Sequence, residues 1–600
     1  MNFAESQKQK ALKAMNLIRV EKCAWIKSKS FAWSGFHKVI TAMSKARNEE
    51  MKLYVWLESR ISTPEEKKCY EFLSEERIKL SKECEQDKDY FMKLKAWTKK
   101  VLFEKLSDDQ KACINIELAT AKSYSMPKYK KKRLMEIDQL SDVFAGQFSK
   151  NIRRGESDFG VHVKKLDGLK HLPLGMRKTA KEKAKNKGIK GWVFEASYDV
   201  EKKTTRNLKI NKEAKKTLTE ARKKVGMHGD GFDSNKNVLA KLSELKREIA
   251  TLNGKKTYGD FAWETYVIKS PRKMKNFLMK LKKEVESKKY SISKADSNGY
   301  DSLITREVRA KEALFSLWNK WFGINVEIVK QHNYLPNSER LKLLRDGKVV
   351  GYISLDLDRR MGKPTHDGPF MVDLSSRYKN TNGMVVLPES FVIMSADKEK
   401  WSHDDVLSFF HEMGHALSHF SCDSDFINIA YSDIEQDALE WPSMFMQEWA
   451  WDPEVTKFLF GQGGANICKR VKKIECQRVL KYGIGLAGMD MSMHATRGSK
   501  EDNPEIWFDD VKLIAPGITK LLKNEWARWE HLIMMDGKYA GYLYGQKLAE
   551  LMYKRIKLGD EVNKMIDLWN LVFKVGGRKY SVDTLNEWSP GIYKKALLLR

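Results

Sequence analysis

One pentad restricts the fold of this chain more than any other feature, and it reads His411-Glu412-Met-Gly-His415. On an α-helix, residues four apart lie on one face, so the two histidines can direct imidazole nitrogens at one metal ion. Glu412 lies beside the first histidine, where it can act as general base on a metal-activated water. The pentad therefore predicts a helix of the HExxH type, with one face turned into a metal site.

The alternative interpretation is a helix whose histidines simply face solvent. The chain has 12 histidines among 600 residues, so two histidines at this spacing with glutamate after the first are uncommon by accident. The chance expectation is roughly 0.015 occurrences in a chain of this composition. The low chance expectation favours a metal site.

A third ligand is needed, because a catalytic zinc ion takes three protein ligands and keeps one position open for water. The best candidate is Glu440, which follows His415 at an interval that suits a helix end, a loop over 421–432 and the first turns of another helix. Asp437, on the same face, can accept a hydrogen bond from the free nitrogen of a ligand histidine. Alternatively, both acids are ordinary charges at a helix start, where the helix dipole favours them.

Helical periodicity dominates the rest of the chain. Residues 1–150 contain little proline or glycine, and their apolar residues recur at three- and four-residue spacing. Further along, 348–358 alternates like a strand, and 383–388 and 390–395 indicate two more strands. We expect a mostly α protein with a small β-sheet next to the motif helix.

Positive charge is concentrated in the first half of the chain. The net charge is +30, and the excess is mostly lysine before residue 300. Such charge can attract nucleic acid or acidic partners, but lysines dispersed on helices usually form only a solvated exterior. Basic runs at 128–133 and 177–187 lack the interleaved aromatic residues of a single-strand-binding groove, so nucleic acid is not favoured. We predict a basic N-terminal helical region over 1–200 and a catalytic region over 201–600.

The compartment is indicated by cysteine usage and hydropathy. Seven cysteines without a C-x-x-C pair argue against a disulfide framework and for a reducing compartment. No apolar run is long enough for a transmembrane helix, so no membrane association is expected. The first residues lack an apolar signal core and include Glu5. We therefore expect a cytoplasmic protein.

Several segments together carry a family resemblance. Phe410-His-Glu-Met-Gly-His-Ala-Leu417, Asp437-x-x-Glu-x-Pro-Ser443 and Glu448-Trp449 resemble the thimet oligopeptidase, dipeptidyl carboxypeptidase and oligoendopeptidase F family of zinc metallopeptidases. Asp356-Leu-x-x-Arg-x-Gly-Lys363 and Met489-Asp-x-x-Met-His494 are similar to other segments of that family, in the same order. The resemblance implies a two-lobed, zincin-like helical body whose deep channel admits short unstructured peptides.

The resemblance also implies further site residues near the C-terminus. Aligned with the family, His531 falls on a histidine that contacts substrate, Tyr542 on the oxyanion tyrosine, and Tyr539 and Gly541 on the substrate-binding loop. A phenol donating to the oxyanion contributes about 3 kcal/mol to lowering the barrier. If the alignment slips, Tyr544 is the donor instead. Alternatively, this aromatic stripe is helix core.

The family's chemistry implies one zinc ion held by His411, His415 and Glu440, with Glu412 as general base, in a metalloendopeptidase or dipeptide-releasing enzyme of short peptides. The chain departs from the family at Ser418, where a histidine is usual, which affects specificity more than hydrolysis. One alternative is a basic protein that binds nucleic acid or an acidic partner and carries a peptidase-like domain. Another is a non-catalytic relative, which the intact ligand set argues against. Cleavage preference and oligomeric state stay open.

Overall fold

The computed structural model describes most of the chain. The described residues are 3–60, 62–121, 126–166, 169–170, 172, 174–206, 210, 212–288, 290–291, 293–360, 363, 368–430, 435, 438–514, 524–535, 537–559, 561–576 and 581–598. Helices dominate these ranges. The predicted fold class is therefore confirmed.

Helices of the first half follow one another with few strands between them. They are α1 (Phe3–Lys27), α2 (Trp33–Glu58), α3 (Pro64–Glu85), α4 (Lys88–Trp97), α5 (Val101–Glu104), α6 (Asp108–Ala121), α7 (Lys128–Asp158), α8 (Leu174–Asn186), α9 (Tyr198–Arg206), α10 (Lys212–Arg222), α11 (Asn235–Leu252), α12 (Tyr258–Ala262), α13 (Pro271–Ser287), α14 (Lys294–Asp301) and α15 (Glu307–Phe322). Two short strands, β1 (Val161–Val163) and β2 (Trp192–Phe194), form an antiparallel pair between α7 and α9.

Helices return after residue 403 and continue to the C-terminus. They are α16 (His403–Ser421), α17 (Trp441–Trp449), α18 (Pro453–His494), α19 (Pro504–Ile514), α20 (His531–Met534), α21 (Ala540–Lys557), α22 (Glu561–Leu568), α23 (Ser581–Trp588) and α24 (Ile592–Ala596). The helix predicted from the pentad is α16.

A five-stranded sheet lies between the two helical stretches. Its strands, together with the short ones around it, are β3 (Ile304–Thr305), β4 (Ile324–Val329), β5 (Glu339–Arg345), β6 (Lys348–Asp358), β7 (Phe370–Ser375), β8 (Tyr378–Lys379), β9 (Val385–Val386), β10 (Glu389–Ala396) and β11 (Trp401–Ser402). The sheet order is β4-β5-β6-β10-β7, in which β10 runs parallel to β6 and antiparallel to β7. Strand β7 forms one edge of the sheet, opposite β4, and contacts α16.

The strands predicted over 348–358 and 390–395 are confirmed as β6 and as part of β10. The strand predicted over 383–388 is confirmed only at Val385–Val386, which form β9. This strand pairs with β8, outside the five-stranded sheet. Pro388 ends this stretch because proline lacks the amide that a ladder requires.

The motif helix α16 begins at a capping box. The Ser402 hydroxyl accepts from the Asp405 amide at 3.3 Å, and the Asp405 carboxylate accepts from the Ser402 amide at 2.8 Å. Lys203 of α9 reaches the same carboxylate at 2.9 Å. Phe409 and Phe410 are fully buried, so the apolar face of α16 anchors it in the main core.

Two large apolar cores organise the molecule. One contains residues from Ala4 to Ile114, to which Phe426 and Ile429 add from the loop after α16. The other begins at Phe148 and continues to the C-terminal helices. Arg360 links the two parts of the molecule that contain these cores. Its guanidinium donates to the Ser59 carbonyl at 2.7 Å and to the Asp356 carboxylate at 2.8 Å. The division of the chain at residue 200 stays a prediction.

Two further observations concern the cysteines and the hydropathy of the helices. All seven cysteines are free thiols, and burial raises the pKa of Cys84 to about 11. Across the described ranges, none of the helices has the length and apolar character needed to cross a bilayer.

Candidate metal centre

Three helices meet at the site, and glycines allow their close approach. A Cβ added to Gly414 of α16 would lie 2.6 Å from both the Pro442 carbonyl oxygen and the Ser443 Cα of α17. On α21, a Cβ at Gly545 would lie 3.4 Å from the backbone of Glu440. The glycine inside the pentad is therefore required by packing, because any larger residue would push α17 away.

The three predicted ligands converge. Nε2 of His411 lies 3.3 Å from Oε2 of Glu440, and Nε2 of His415 lies 3.4 Å from the same oxygen. The three ligand atoms all lie within 4.8 Å of one another. Two imidazole nitrogens and one carboxylate oxygen form a donor set that suits zinc. A zinc ion held by them would keep its fourth coordination position for water.

Glu440 reaches the site from the position before α17, and not from within its first turns as the sequence predicted. The helix begins at Trp441, with Glu440 as its N-cap residue. Ser443, one turn later, donates its hydroxyl to the Glu440 carboxylate at 3.1 Å. Asp437, predicted to support a ligand histidine, lies outside the described residues.

Gln447 takes the supporting position that sequence reasoning gave to Asp437. Its Oε1 lies 3.1 Å from Nδ1 of His411. Because an amide oxygen only accepts, Nδ1 must carry the proton, which leaves the Nε2 lone pair free for a metal. The sequence analysis missed Gln447. Its four-residue spacing from Ser443, which places both on one face of α17, could have indicated it.

Burial and neighbouring charges act in opposite directions on the two glutamates. Burial alone would raise the pKa of Glu440, but His415 and His411 beside it hold that pKa well below its usual range. For Glu412 burial dominates and raises the pKa, although both histidines oppose it. The Met371 backbone of β7 lies beside the Glu412 carboxylate and opposes the rise of its pKa.

An aromatic cluster lies on the other side of the ligands. The Tyr542 ring lies 6.4 Å from the His411 ring, and burial and the nearby Glu440 carboxylate raise the pKa of Tyr542. Tyr539 and His531 lie 5.0 Å and 6.3 Å from Tyr542, measured between ring centroids. Burial raises the pKa of both phenols, so both stay protonated and able to donate.

The sequence left open whether Tyr542 or Tyr544 is the oxyanion donor, and the structure distinguishes the two. Tyr544 is fully buried and packs 5.9 Å from the Tyr593 ring, in the main core. Tyr542 is the one beside the ligands. Gly541 is buried as well, and its amide donates to the Lys538 carbonyl at 2.8 Å.

A cleft with a cavity volume of about 130 Å³ opens near the start of α16. One wall is formed by α8, β2 and α9, and the other by β10 and the start of α16. Ser408, one helical turn before Glu412, and Pro369, two residues before Met371, both line it. Apolar side chains such as Phe194 are prominent in its walls.

Known proteins resemble this chain in sequence and in fold. Residues 209–594 match the family model described as peptidase family M3. Oligopeptidase A of Haemophilus influenzae is 23% identical over 486 residues, which cover 70% of this chain and 70% of that protein. Oligopeptidase A of Escherichia coli is 23% identical over 530 residues, covering 78% and 75%. PZ peptidase A, solved with an inhibitor, shares the fold with a TM-score of 0.55 at 12% identity, covering 99% of this chain and 93% of that one.

Proposed function

Because this chain belongs to peptidase family M3, we propose that it is a zinc-dependent peptidase that hydrolyses short oligopeptides, with Glu412 as general base. The family makes the chain a metallopeptidase. The observation that carries the finer proposal is the convergence of His411, His415 and Glu440 on one point. Within the described ranges this is the cluster of histidine and carboxylate side chains close enough to hold an ion.

The ligand residues and Glu412 have distinct roles in this proposal. When bound, zinc would lower the pKa of a water and polarise the peptide carbonyl. Glu412 takes the proton of the attacking water and later delivers it to the leaving amine. The Met371 backbone, which lies beside the Glu412 carboxylate, would help to align it for both transfers.

Tyr542 and His531 serve the developing oxyanion. A protonated phenol is a donor, and one such donor in a dry site lowers the barrier by about 3 kcal/mol. Burial lowers the pKa of His531, so this imidazole is neutral and can also donate. Tyr539 lies between them and contacts the peptide beside the scissile bond, together with the backbone at Gly541.

Strand β7 provides the surface for the peptide backbone. It is one of the two edge strands of the sheet in the described residues, so a bound peptide can extend the sheet there. Met371 of the same strand contacts Glu412, so a peptide held on this edge passes the general base. An extended peptide is required for such pairing, which favours short unstructured substrates over folded proteins.

The alternative function, binding of nucleic acid or an acidic partner, has less support. It rests on the net charge of +30. The two lysines that line the cleft are already paired with carboxylates, Lys203 with Asp405 and Lys183 with Glu195. A cytoplasmic location stays a prediction that the free cysteines support.

The test is product mapping with zinc-loaded protein and a mixture of short peptides. We expect the parent to cleave and Glu412→Gln to bind the metal normally but to cleave at least about 100-fold more slowly. Glu448→Gln is the matched control, since Glu448 is another buried glutamate of this helix pair but bonds Lys472 instead. If Glu412→Gln cleaves as fast as the parent, the general-base assignment is wrong.

A further inference from the structure

We propose that Asp490 is a positioning residue that holds the tyrosine-bearing loop of the active site, as the end of a buried chain formed by Lys246, His494 and Asp490. The inference rests on the proposed function, because it assigns Tyr542 its place beside the ligands. Asp490 touches neither the ligands nor the peptide edge and acts only through the loop.

Asp490 lies near the end of α18 and is 1% exposed. Its Oδ1 accepts from the Gly537 amide at 3.2 Å, and its Oδ2 accepts from the Tyr539 amide at 3.0 Å. These amides immediately precede α21, where a helix has backbone donors without partners in the helix itself. A carboxylate is suited to this position, since both oxygens accept and its charge is favoured at a helix start.

Asp490 is itself held by His494 and Lys246. Nδ1 of His494 lies 2.7 Å from the Asp490 carbonyl oxygen and 3.2 Å from Oδ1. Lys246, from α11, places its Nζ 2.7 Å from Nε2 of His494. An ammonium group only donates, so Nε2 must accept and the imidazole proton must be on Nδ1, facing Asp490. Lys246 therefore donates to His494, and His494 donates to Asp490.

The loop is confined from its opposite side as well. Gly537 has φ +84°, and a Cβ added there would lie 2.3 Å from the Trp263 indole nitrogen. The backbone thus passes between Trp263 and the Asp490 carboxylate, with space only for glycine. This clamp sets the path of the chain into α21, whose first turn carries Tyr542.

The functional consequence is a fixed distance between the phenol and the ligands. Asparagine at 490 keeps one acceptor oxygen but turns an amide group towards the second backbone donor, so one of the two loop contacts is lost. A displacement of about 1 Å at a reacting centre can cost about 100-fold in rate. Asp490→Asn should therefore lower kcat by about that factor, with the zinc content unchanged.

A double-mutant cycle tests whether Asp490 acts through Tyr542. If it does, Asp490→Asn lowers kcat about 100-fold in the parent but by no more than about threefold in a Tyr542→Phe background. The matched control is Asp452→Asn, at the other end of α18, where a carboxylate of similar burial bonds Tyr553 and Lys557. Its effect should be equal in both backgrounds. An undiminished effect of Asp490→Asn in the Tyr542→Phe background would overturn the proposal.

Hydrogen exchange gives a readout that does not depend on activity. The Gly537 and Tyr539 amides should exchange at least about tenfold faster in Asp490→Asn than in the parent. Unchanged exchange overturns the clamp, whereas an inactive parent with the expected exchange overturns only the proposed function. If Asp490→Asn does not fold, His494→Gln and His494→Leu replace it. Glutamine can still donate and accept and should retain most activity, and equal activity of the two variants counts against the chain.

Discussion

The ligand helices and the tyrosine loop place their functional side chains by different means. On α16 helical periodicity places the two histidines on one face, and the close approach at Gly414 brings Glu440 to them. Tyr539 and Tyr542 instead depend on a loop whose backbone amides are held by Asp490, which lies more than 40 residues earlier in the chain. One site therefore combines a local device, the histidine helix, with a long-range one, the tyrosine loop. The two should respond differently to substitution.

The largest effect is expected from removal of a ligand. His415→Ala should abolish zinc binding and lower peptide cleavage by more than the roughly 100-fold loss caused by removing an outer partner of a ligand. Metal analysis and peptide cleavage measure both effects. His419→Ala, one turn further along α16, is the control, since His419 bonds Ser390 and should leave the zinc content unchanged. Normal zinc content in His415→Ala would contradict the assignment.

The tyrosine loop should lose rate but keep the metal. Tyr542→Phe is expected to lower kcat about 100-fold at full zinc occupancy, because the oxyanion loses a donor. Tyr544→Phe, two residues on, should change kcat by less than about threefold, since Tyr544 packs in the core. Steady-state kinetics on one fluorogenic peptide compare the two variants. The reverse order of effects would move the oxyanion role to Tyr544.

A smaller effect is expected at the partner of His411. Gln447→Leu removes the acceptor of the Nδ1 proton and should weaken zinc affinity by about 10- to 100-fold. Gln447→Glu keeps an acceptor and should stay near the parent. Competition with a chelator measures the affinity, and equal zinc affinity in all three proteins would show that Gln447 does not orient the imidazole.

The smallest effect concerns packing of the ligand helices. Gly414→Ala should destabilise the protein by about 1–3 kcal/mol, because the new methyl group meets the backbone of α17. Gly146→Ala, in α7, is the control: no atom lies within 4 Å of its added Cβ. That variant should be slightly more stable than the parent, by up to about 1 kcal/mol. Denaturant unfolding measures both, and an equal change in both would contradict the close approach at Gly414.

The local device is the part that the sequence could predict. The spacing of His411 and His415 required a helix, and the alternating residues of β6 required a strand, because both depend on periods of a few residues. Strand β7 was missed because Phe370, Met371 and Val372 are consecutive apolar residues without alternation. The strand is defined by its pairing with β10, which no local pattern records.

The long-range device could be predicted only in part. The family resemblance indicated Tyr539 and Tyr542 as site residues, and it placed Asp490 in a segment of interest without a role. The role of Asp490 depends on which backbone amides its carboxylate reaches after folding. The packing of α11, α18 and α21 against one another decides which amides these are. Gln447 was missed for the same reason, since its partner His411 lies on a different helix.

The contact between Lys203 and Asp405 has a consequence for the cleft beside the site. Lys203 belongs to one wall and Asp405 to the other, and their side chains are about one-fifth exposed to solvent. Dissolved ions screen a pair of that exposure, so the attraction between the walls weakens as ionic strength rises. We therefore expect the width of the cleft, and with it the bulk of the side chains that it admits, to change with the salt concentration of the surroundings.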